Sequence, residues 1–589
     1  MIIKSIRVQN FRCIRDETLP CEQLTVLVGP NGSGKSSFLR ALQMFYTPVA
    51  EYSEDDFYDR DITKPIIVAV TFTDLTDEEK KVFKKYVKAG DLTVEKEMWF
   101  PARRGNQKYY GSSLQNPEFD SFRSASGAEL RKEYNKLRKM KKYSSLPPYT
   151  NKEAAEKALQ EWEENNPDKC VRRRDKGQFF GFKEVGTARL ERYTRFILIP
   201  AVRDAGRDAA EGRDTPLTEI MDLVVRSALA QREEVKNLQE YVQKQYDAIM
   251  DPSKLKELRD LESDLNSILK TYVPDSSVKL TWLKEGGIEI PMPKADIKLV
   301  EDGFPSAVGC TGHGLQRVFI LTLLQYLAFV EASVKEEVRS EHDKDKFTSK
   351  FGTSNLIIGI EEPELYQHPN RQRNLSKVFL KLVKEGIKGV AERVQIIYST
   401  HSPLFVDIER FDQVRLLRKE SAEPNKPKQT KIYYTSLDEV ARVIERADGK
   451  PEGTYTGETL RPRLRTLMTP WMNEGFFADV IVLVEGEEDR AAILGVANAM
   501  GYDFESMGIS VIPCMGKTNL DRPTAIFRNL RLPVYVIWDS DYGGRDPRPE
   551  VNRRLLRLFS QPVEDWPEKV TEQFACFKKT LGGTLRAEI

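Results

Sequence analysis

The sequence has little of several features that mark common protein classes. Its 589 residues include only six cysteines, none in a C-x-x-C pair or at metal-binding spacing, which argues against a disulfide scaffold or zinc site and predicts a cytoplasmic protein. No run approaches the ~18 apolar residues of a membrane span, and the N-terminus lacks the apolar region of a signal peptide, so we expect no membrane association. Lys and Arg number 91 against 90 Asp and Glu, a net charge of +1, so any basic surface must be local. Only four histidines occur.

A glycine-rich loop at 29–36 is the clearest motif, and it matches G-x-x-x-x-G-K-[ST] in full. The apolar run Leu24–Val28 before it predicts a buried strand, and Ser36–Met44 after it predicts a helix. Such a loop can wrap its N–H groups around a phosphate, with Lys35 on the β/γ-phosphates and Ser36 on Mg²⁺. The sequence therefore predicts an ATP-type nucleotide site, whose binding residues are Asn31, Gly32, Gly34, Lys35, Ser36 and Ser37.

Residues 101–190 carry 20 Lys or Arg against 12 Asp or Glu. The densest stretch, 131–143, interleaves these charges with Tyr134 and Tyr143, and an arginine triplet follows at 172–174. Basic residues with tyrosines suit phosphate contact and base stacking, whereas most charge runs are ordinary solvated helix faces. Both interpretations stay open. Residues 205–272 show helical spacing of apolar residues, which predicts a helical arm that either packs on the core or dimerises.

Two further apolar strands end in polar residues. Leu356–Pro363 ends in paired carboxylates, of which we assign Glu361 to the metal shell and Glu362 to the attacking water. Val394–Tyr398 is followed by His401, which can contact the γ-phosphate or that water. A glycine-rich loop, Gly309–Arg317, opens an apolar helix at 318–330 and predicts a second anion site with Gly312 and Gly314. Three of the four histidines fall in these motifs or beside them, which favours an ATPase.

The C-terminal part repeats this pattern with acids alone. The strand Val480–Val484 leads into Glu485 and Asp489, and the strand Val534–Trp538 leads into Asp539 and Asp541. In a parallel sheet these ends share one edge, and a histidine-free cluster of carboxylates suits Mg²⁺ or Mn²⁺. Acidic surface loops are the alternative interpretation.

Together these motifs resemble a known combination. The loop at 29–36, Gly312–Arg317, Glu361–Glu364 and Ser399–Pro403 resemble an ABC-type ATPase head of the RecF/SMC-like group, and the E…D-x-D set resembles a Toprim domain. Head and Toprim in one chain resemble the OLD (overcoming lysogenization defect) family of ATP-dependent nucleases, which includes Gabija-type and retron-associated antiphage effectors.

The resemblance implies an α/β fold and roles for particular residues. Gly312 and Gly314 would face the phosphate loop of a second subunit, so a homodimer or higher oligomer is expected; residues 364–369 would be the D-loop and His401 the switch histidine. Glu485, Asp489, Asp539 and Asp541 would hold one or two metal ions for DNA hydrolysis. A reverse transcriptase with its nucleic acid, or a helicase, is the implied defence partner. Family members usually carry a further acid and a lysine after the D-x-D, whereas Phe574–Gly583 has no acid; Glu564, Glu568 or Glu572, and Lys578 or Lys579, are the candidates.

This gives an expected organisation in seven parts. They are the ATPase N-terminal part (1–75), a basic insertion (76–190), a return to the ATPase core (191–204), the helical arm (205–272), the ATPase C-terminal part (273–425), a linker (426–470) and a Toprim nuclease domain (471–589). The expected function is an ATP-regulated, metal-dependent DNA endonuclease of antiphage defence. The alternative is a non-cleaving ATPase switch or scaffold whose Toprim domain only binds metal or nucleic acid.

Overall fold

The structure is a computed structural model. It describes residues 1–174, 190, 193–201, 298–307, 311–334, 355–387, 391, 393–421, 423, 426–465, 470–544 and 547–588, with scattered single positions between 220 and 280. The predicted helical arm (205–272) and Cys310 thus lie outside the described residues, apart from those single positions. In the described ranges we find no helix with the length and apolar character needed to cross a bilayer. The five described cysteines are free thiols.

The elements are numbered along the described chain. The strands are β1 (Ile2–Phe11), β2 (Ile14–Pro20), β3 (Leu24–Val28), β4 (Ile66–Thr73), β5 (Val87–Lys88), β6 (Asp91–Met98), β7 (Gln107–Gln115), β8 (Val171–Arg174), β9 (Arg195–Ile199), β10 (Lys298–Glu301), β11 (Phe304–Ala307), β12 (Asn355–Glu361), β13 (Arg393–Ser399), β14 (Val414–Glu420), β15 (Gln429–Tyr433), β16 (Val480–Val484), β17 (Ile509–Pro513), β18 (Val534–Asp539), β19 (Lys569–Val570) and β20 (Phe574–Phe577). The helices are α1 (Lys35–Tyr46), α2 (Asp77–Val82), α3 (Asp120–Ser124), α4 (Ala128–Arg138), α5 (Lys152–Asn165), α6 (His313–Val334), α7 (Pro369–Glu385), α8 (Leu437–Asp448), α9 (Gly457–Leu464), α10 (Pro470–Glu474), α11 (Glu487–Ala499), α12 (Asp521–Asn529), α13 (Pro549–Leu558) and α14 (Leu581–Glu588).

The chain divides into two compact units. One comprises Met1–Ala201, Ile357–Ser376 and Gln395–Ile589. The other comprises Val202–Leu356 and Lys377–Val394; in its described part lie the hairpin β10–β11 and the long helix α6. The phosphate loop and the C-terminal strands β16 to β20 both belong to the first unit.

The phosphate loop emerges from a six-stranded sheet with the order β15-β14-β3-β13-β12-β9. β3 is buried at every position and lies parallel to β13 and β14. A strand buried on both faces reads as a continuous apolar run, which is why β3, β12 and β13 were predicted correctly from sequence. Parallel pairing brings the C-terminal ends of β3 and β13 to one edge.

A second sheet contains the N-terminal strands and part of the basic insertion. Its order is β2-β1-β4-β6-β7-β8, with β5 on β6, and every pairing is antiparallel. β4 alternates buried and half-buried residues, as expected of a strand with one core face. The region 76–190, in which no motif was recognised, thus supplies four strands of this sheet.

The tyrosines of the basic insertion are core residues, so of the two open interpretations the burial excludes base stacking on them. Tyr134 and Tyr143 are each 1% exposed, and they pack with Phe119, Phe122 and Trp162 between helices α3, α4 and α5. The Tyr143 and Trp162 ring centroids lie 4.8 Å apart in an edge-on arrangement. Tyr134 lies on the core-facing stripe of the amphipathic helix α4, and Tyr143 lies in the short 3-10 turn that follows this helix.

Residues 426–470, expected to be a linker, contain β15, α8 and α9. Helix α8 begins with a Ser436–Glu439 capping box and ends at Gly449, whose φ of +66° is left-handed. Arg554 on α13 ties this segment to the C-terminal sheet: it lies 2.9 Å from Asp521 on α12 and also pairs with Asp448 on α8.

The C-terminal sheet has the order β17-β16-β18-β20-β19. β17, β16, β18 and β20 are parallel, and only β19 runs against its neighbour. The predicted strands at 480–484 and 534–538 are confirmed, with Asp539 the last residue of β18. Glu485 and Asp539 therefore follow neighbouring parallel strands and meet at one edge of the sheet.

Candidate functional sites: a phosphate loop and a carboxylate edge

Backbone geometry explains the glycines of the phosphate loop. Gly29 has φ +150°, and a Cβ there would lie 2.1 Å from the Leu417 carbonyl oxygen. Gly34 has φ +107°, and its Cβ would lie 2.7 Å from Thr430 Oγ1. Any other residue would be strained in conformation and would collide with β14 or β15. The loop is thus fitted tightly against the hairpin that follows the ATPase core.

Lys35 is buried under this loop. Its ammonium donates to the carbonyls of Gly29 (2.7 Å) and Pro30 (3.1 Å). Burial lowers the pKa of Lys35 to about 8, although Glu362 and Glu364 act in the opposite direction. Asn31, Gly32 and Ser36 are exposed at the loop surface, and Ser37 is buried with Oγ 3.9 Å from Cys13 Sγ.

The acids after β12 are held in different ways. Glu361 Oε2 accepts a hydrogen bond from the Ala201 N–H at 3.0 Å, beyond the end of β9. Glu362 has φ +46°, and its N–H donates to the Ser399 carbonyl at the end of β13 (2.8 Å). A left-handed glutamate is costly, and such strain is concentrated at functional sites.

His401 lies beside these acids. Its Nε2 is 3.9 Å from Glu362 Oε1. Burial, aided by the nearby Lys35 ammonium, holds the pKa of His401 below its usual value, although Glu362 and Glu364 act to raise it. The neutral imidazole is therefore favoured at neutral pH. It can accept a hydrogen bond as well as donate one.

Glu364 has a role that the sequence did not indicate. Its two carboxylate oxygens accept from the His401 N–H (2.6 Å) and the Thr400 hydroxyl (2.8 Å). The segment predicted as D-loop thereby fixes the backbone of the switch histidine. Of the predicted ATPase residues, the structure brings Lys35, Glu362 and His401 together. Gly312 and Gly314 belong to the other unit, where Gly312 is exposed just before α6.

The hairpin β14–β15 is a second support that sequence reasoning missed. Thr430 Oγ1 donates to the Ser33 carbonyl of the phosphate loop (2.9 Å), and the Thr430 N–H donates to the Cys13 carbonyl (2.9 Å). A cavity of about 290 Å³ beside the loop is lined by Gly29, His401, Arg418, Phe477 and Asp479, among others. The phosphate loop thus shares a cavity with the residues that lead into β16.

The second site is the carboxylate edge: Glu485, Asp489, Asp539 and Asp541. Glu485 Oε1 accepts from the Asp539 N–H at 2.7 Å, and Asp539 Oδ1 accepts from the Leu581 N–H at 2.8 Å, where α14 begins. Burial, with repulsion from neighbouring acids, raises the pKa of Glu485 to about 7 and that of Asp539 to about 6. Both acids therefore keep their protons to a higher pH than ordinary carboxyl groups do.

Asp489 is one turn into helix α11. Its Oδ2 accepts from the Gly486 N–H at 3.0 Å, so it closes the first turn of the helix. Burial raises the pKa of Asp489. The charge of Asp489 raises the pKa of Asp539, so Asp489 lies near the carboxylate edge. It also caps the first turn of α11.

Lys517 is a residue of this edge that sequence reasoning missed. Only 6% exposed, it donates to Asp541 Oδ2 (2.5 Å) and to the Asp539 carbonyl (2.8 Å). Asp541 adopts a left-handed φ of +59°, which turns it toward this lysine. The available signal was the pair Gly516-Lys517, which follows the short strand β17 after two residues. The acids of the edge occupy similar positions at the ends of β16 and β18. Of the lysines considered from sequence, Lys578 lies over the Tyr542 ring at 5.2 Å.

The donor set of this edge fits a hard divalent cation. Searching the described ranges, we find no group of three carboxylate, imidazole or thiolate side chains arranged to enclose an ion. Mg²⁺, however, is usually held by one or two carboxylates together with water and substrate phosphates. Two half-buried acids with raised pKa values, Glu485 directly after β16 and Asp539 at the end of the adjacent β18, meet that requirement. At the phosphate loop, Ser36 and Glu361 are the residues that the sequence predicts as the corresponding oxygen donors.

Comparison with known proteins identifies a family for each of the two parts of the chain. Residues 1–406 match the AAA ATPase domain family, and residues 476–541 match the overcoming lysogenization defect protein-like TOPRIM domain. A protein named OLD nuclease from Thermus scotoductus is 23% identical over 563 residues, covering 94% of this chain and 84% of its own. The Old nuclease of Escherichia phage P2 is 23% identical over 562 residues, covering 92% and 77%. The SMC head domain from Thermotoga maritima, 11% identical over 74% of this chain, reaches a TM-score of only 0.27.

The family match spans well over half of the chain and includes the phosphate loop, the acids after β12 and His401. The Toprim match spans the carboxylate edge from Glu485 to Asp541. Domains of these two kinds imply the use of a nucleotide and of a divalent metal ion. The chain belongs to the AAA ATPase domain family, and it carries an OLD-like Toprim domain after the ATPase domain.

Proposed function

We propose that this protein is an ATP-regulated, metal-dependent DNA endonuclease. The observation that carries the proposal is the carboxylate edge, where Glu485 and Asp539 follow adjacent parallel strands and Lys517 offsets the charge of Asp541. A cluster of half-buried acids is destabilising by itself, so its presence favours a role that needs the acids. The likeness to two proteins named as nucleases agrees with this reading.

In this proposal Glu485, Asp539 and Asp541 would hold the ion, with Asp489 beside them. When bound, the ion supplies Lewis acidity toward a phosphodiester. Lys517 keeps Asp541 and the Asp539 carbonyl in place and partly neutralises the edge, so that an anionic backbone can approach. The Leu581 N–H fixes the orientation of Asp539.

Contacts between the switch histidine segment and α10 support ATP regulation. The Asn473 side chain donates to the carbonyls of Val406 (2.8 Å) and Pro403 (3.3 Å) and accepts from the Ile408 N–H (3.2 Å). Arg418 also donates to the Ala478 carbonyl at 3.3 Å. A movement of the segment after His401 would therefore be transmitted to the residues immediately before β16.

One observation favours the non-cleaving alternative. Each acid of the edge already has a protein donor: a backbone N–H for Glu485, Asp489 and Asp539, and an ammonium for Asp541. Carboxylates satisfied in this way could serve a binding scaffold. We rank it second because the backbone donors leave the other oxygen of Glu485 and Asp539 available to an ion.

The biological setting and the assembly state extend the proposal. The likeness to overcoming lysogenization defect proteins supports a role in antiphage defence, and we infer a homodimer or higher oligomer in which Gly312 and Gly314 complete a neighbouring phosphate loop. A reverse transcriptase with its nucleic acid, or a helicase, is the proposed defence partner.

In a plaque assay, protection that is equal for wild type and Asp539→Asn would contradict a defence role based on cutting.

The direct test incubates supercoiled and linear DNA with Mg²⁺ or Mn²⁺, with and without ATP. We expect wild type to nick or linearise the DNA and Asp539→Asn to lose about 1000-fold in rate, since a metal ligand contributes several kcal/mol to the transition state. Intact DNA with wild type would refute the nuclease function, and equal cutting by the variant would refute the site assignment.

Glu485→Gln should lose cutting and yet stabilise the metal-free protein above neutral pH. Folding raises the pKa of Glu485 from 4.5 to about 7, so the native state binds the extra proton and loses stability as pH rises through that window. Glutamine keeps the acceptor for the Asp539 N–H without this charge. In EDTA at about pH 8 we expect a gain on the order of 2 kcal/mol, which vanishes near pH 4.5. Thermal denaturation measures it; an unchanged or lower melting temperature at pH 8 would contradict it.

Lys517→Gln should reduce cutting about 100-fold, the usual effect of removing a preorganised charge, without changing ATP turnover. Lys578→Gln is the matched control, because it removes a nearby lysine that lies on the Tyr542 ring. We expect the Lys517 variant also to shift the metal concentration needed for half-maximal cutting. A loss in the Lys578 variant alone would reverse the assignment.

Lys35→Ala should abolish ATP turnover, whereas Asn473→Ala should retain turnover but uncouple it from cutting. In the wild type we expect the cutting rates with and without ATP to differ about 10-fold, as typical coupling energies predict. In the Asn473 variant this ratio should fall to about one. Asn529→Ala is the control, since Asn529 donates to Thr435 away from the switch segment. Unchanged turnover in Lys35→Ala would refute the role of the phosphate loop, and a normal ATP ratio in Asn473→Ala would refute the coupling.

A further inference from the structure

The basic insertion contains a small helical subdomain with its own core. Residues 116–170, which include α3, α4 and α5, pack around Phe119, Tyr143 and Trp162, and the subdomain is carried between the paired strands β7 and β8. Glu163, 3% exposed, holds the chain together by accepting from the Asn116 N–H (2.6 Å) and pairing with Arg123 (2.5 Å). The surface residues of the subdomain are therefore supported by a packed core.

Charge is segregated on this subdomain. Residues 131–142, on α4 and the turn after it, hold seven Lys or Arg and one Glu. Helix α5, residues 152–165, holds five Glu and two Lys. The net charge of the subdomain is small, but its basic residues are concentrated on α4 and the turn after it, and its acidic residues are concentrated on α5. A polarised surface of this kind orients a charged partner.

Some of the basic residues are occupied within the protein. Lys142 pairs with Glu118, the Arg138 Nε donates to the Leu146 carbonyl at 3.0 Å, and Lys136 lies 3.6 Å from Glu133. The arginine triplet is occupied too. Arg173 pairs with Asp120 and Arg174 with Glu95 and Glu97, and Arg172 donates to backbone carbonyls. These residues already have partners within the protein.

Four exposed cations remain: Arg131, Lys132, Lys139 and Lys141. In the described part of the chain none of the four has a carboxylate within ion-pair distance. The buried residues Leu130, Tyr134 and Leu137 define the inner face of α4. At ~100° per residue, Lys132 and Lys139 lie on the opposite face, about 10 Å apart along the axis, a distance that spans about three phosphates of one DNA strand.

We propose that this stripe, Arg131, Lys132, Lys139 and Lys141, binds the phosphate backbone of duplex DNA without reading its sequence. The inference rests on the proposed function, since it names the surface by which the nuclease holds its substrate. Lysines and an arginine give the charge, and the burial of Tyr134 and Tyr143 removes base stacking from this face. Binding here depends on counterion release and therefore on salt.

The test measures DNA binding in EDTA, so that no cutting occurs. Fluorescence anisotropy with a short labelled duplex is recorded over a series of NaCl concentrations for wild type, Lys132→Gln/Lys139→Gln and the control Lys152→Gln/Lys157→Gln. Both doubles remove two exposed lysines from a helix of the same subdomain. We expect the stripe double to lower the slope of log affinity against log salt by about 2, at ~0.9 per phosphate contact, for every duplex sequence tried. The control double should keep the wild-type slope.

The outcomes distinguish the stripe proposal from the proposed nuclease function. Wild-type binding with equal slopes in both doubles would overturn the stripe and leave the nuclease function intact. Loss of binding that depends on duplex sequence would also overturn it, because backbone contacts carry no sequence information. Wild type that binds no DNA at any salt would overturn the stripe and the proposed function together. Circular dichroism of both doubles guards against unfolding, and a folded stripe double with a reduced slope supports the proposal.

Discussion

Carboxylates at the ends of parallel strands repel one another, and both sites of this protein depend on a buried lysine that offsets this repulsion. Lys35 lies near Glu362 and Glu364, whose charges act on its pKa, and Lys517 pairs with Asp541. In each case the lysine follows a glycine in a loop that leaves a strand. The two sites thus solve one electrostatic problem with the same arrangement, although their sheets have different strand orders.

The connection between the sites follows from where the chain passes after the ATPase core. The hairpin β14–β15 extends the nucleotide-loop sheet and holds the loop through Thr430, and β14 also contributes Arg418, which reaches Ala478. From the other side, Asn473 binds the segment after the switch histidine. The phosphate loop and the strand that delivers Glu485 are therefore separated by only a few hydrogen-bonded segments, all within one compact unit.

Much of this could be predicted from sequence, for a physical reason. Strands buried on both faces, such as β3, β12 and β16, are continuous apolar runs, and glycines with forced φ values mark the phosphate loop. Segments whose pattern is amphipathic or charged are harder to place. Residues 426–470, which contain β15, α8 and α9, are expected from sequence to be a linker, and the sequence leaves Tyr134 and Tyr143 open between base stacking and an ordinary helix face. Lys517 was missed because its role depends on which strands are neighbours, and one sequence does not contain that pairing.

The C-terminal segment changes how the missing acid of the family pattern is understood. Phe574–Phe577 pairs with β18, and the next helix begins at Leu581 with an N–H on Asp539. A helix N-terminus stabilises a carboxylate as a partial positive charge, whereas a further acid would add to the repulsion at this edge. The Lys517 ammonium also stabilises the negative charge at this edge. The edge is therefore built to keep few, well-oriented charges, which suits an ion that takes most of its ligands from water and from phosphate.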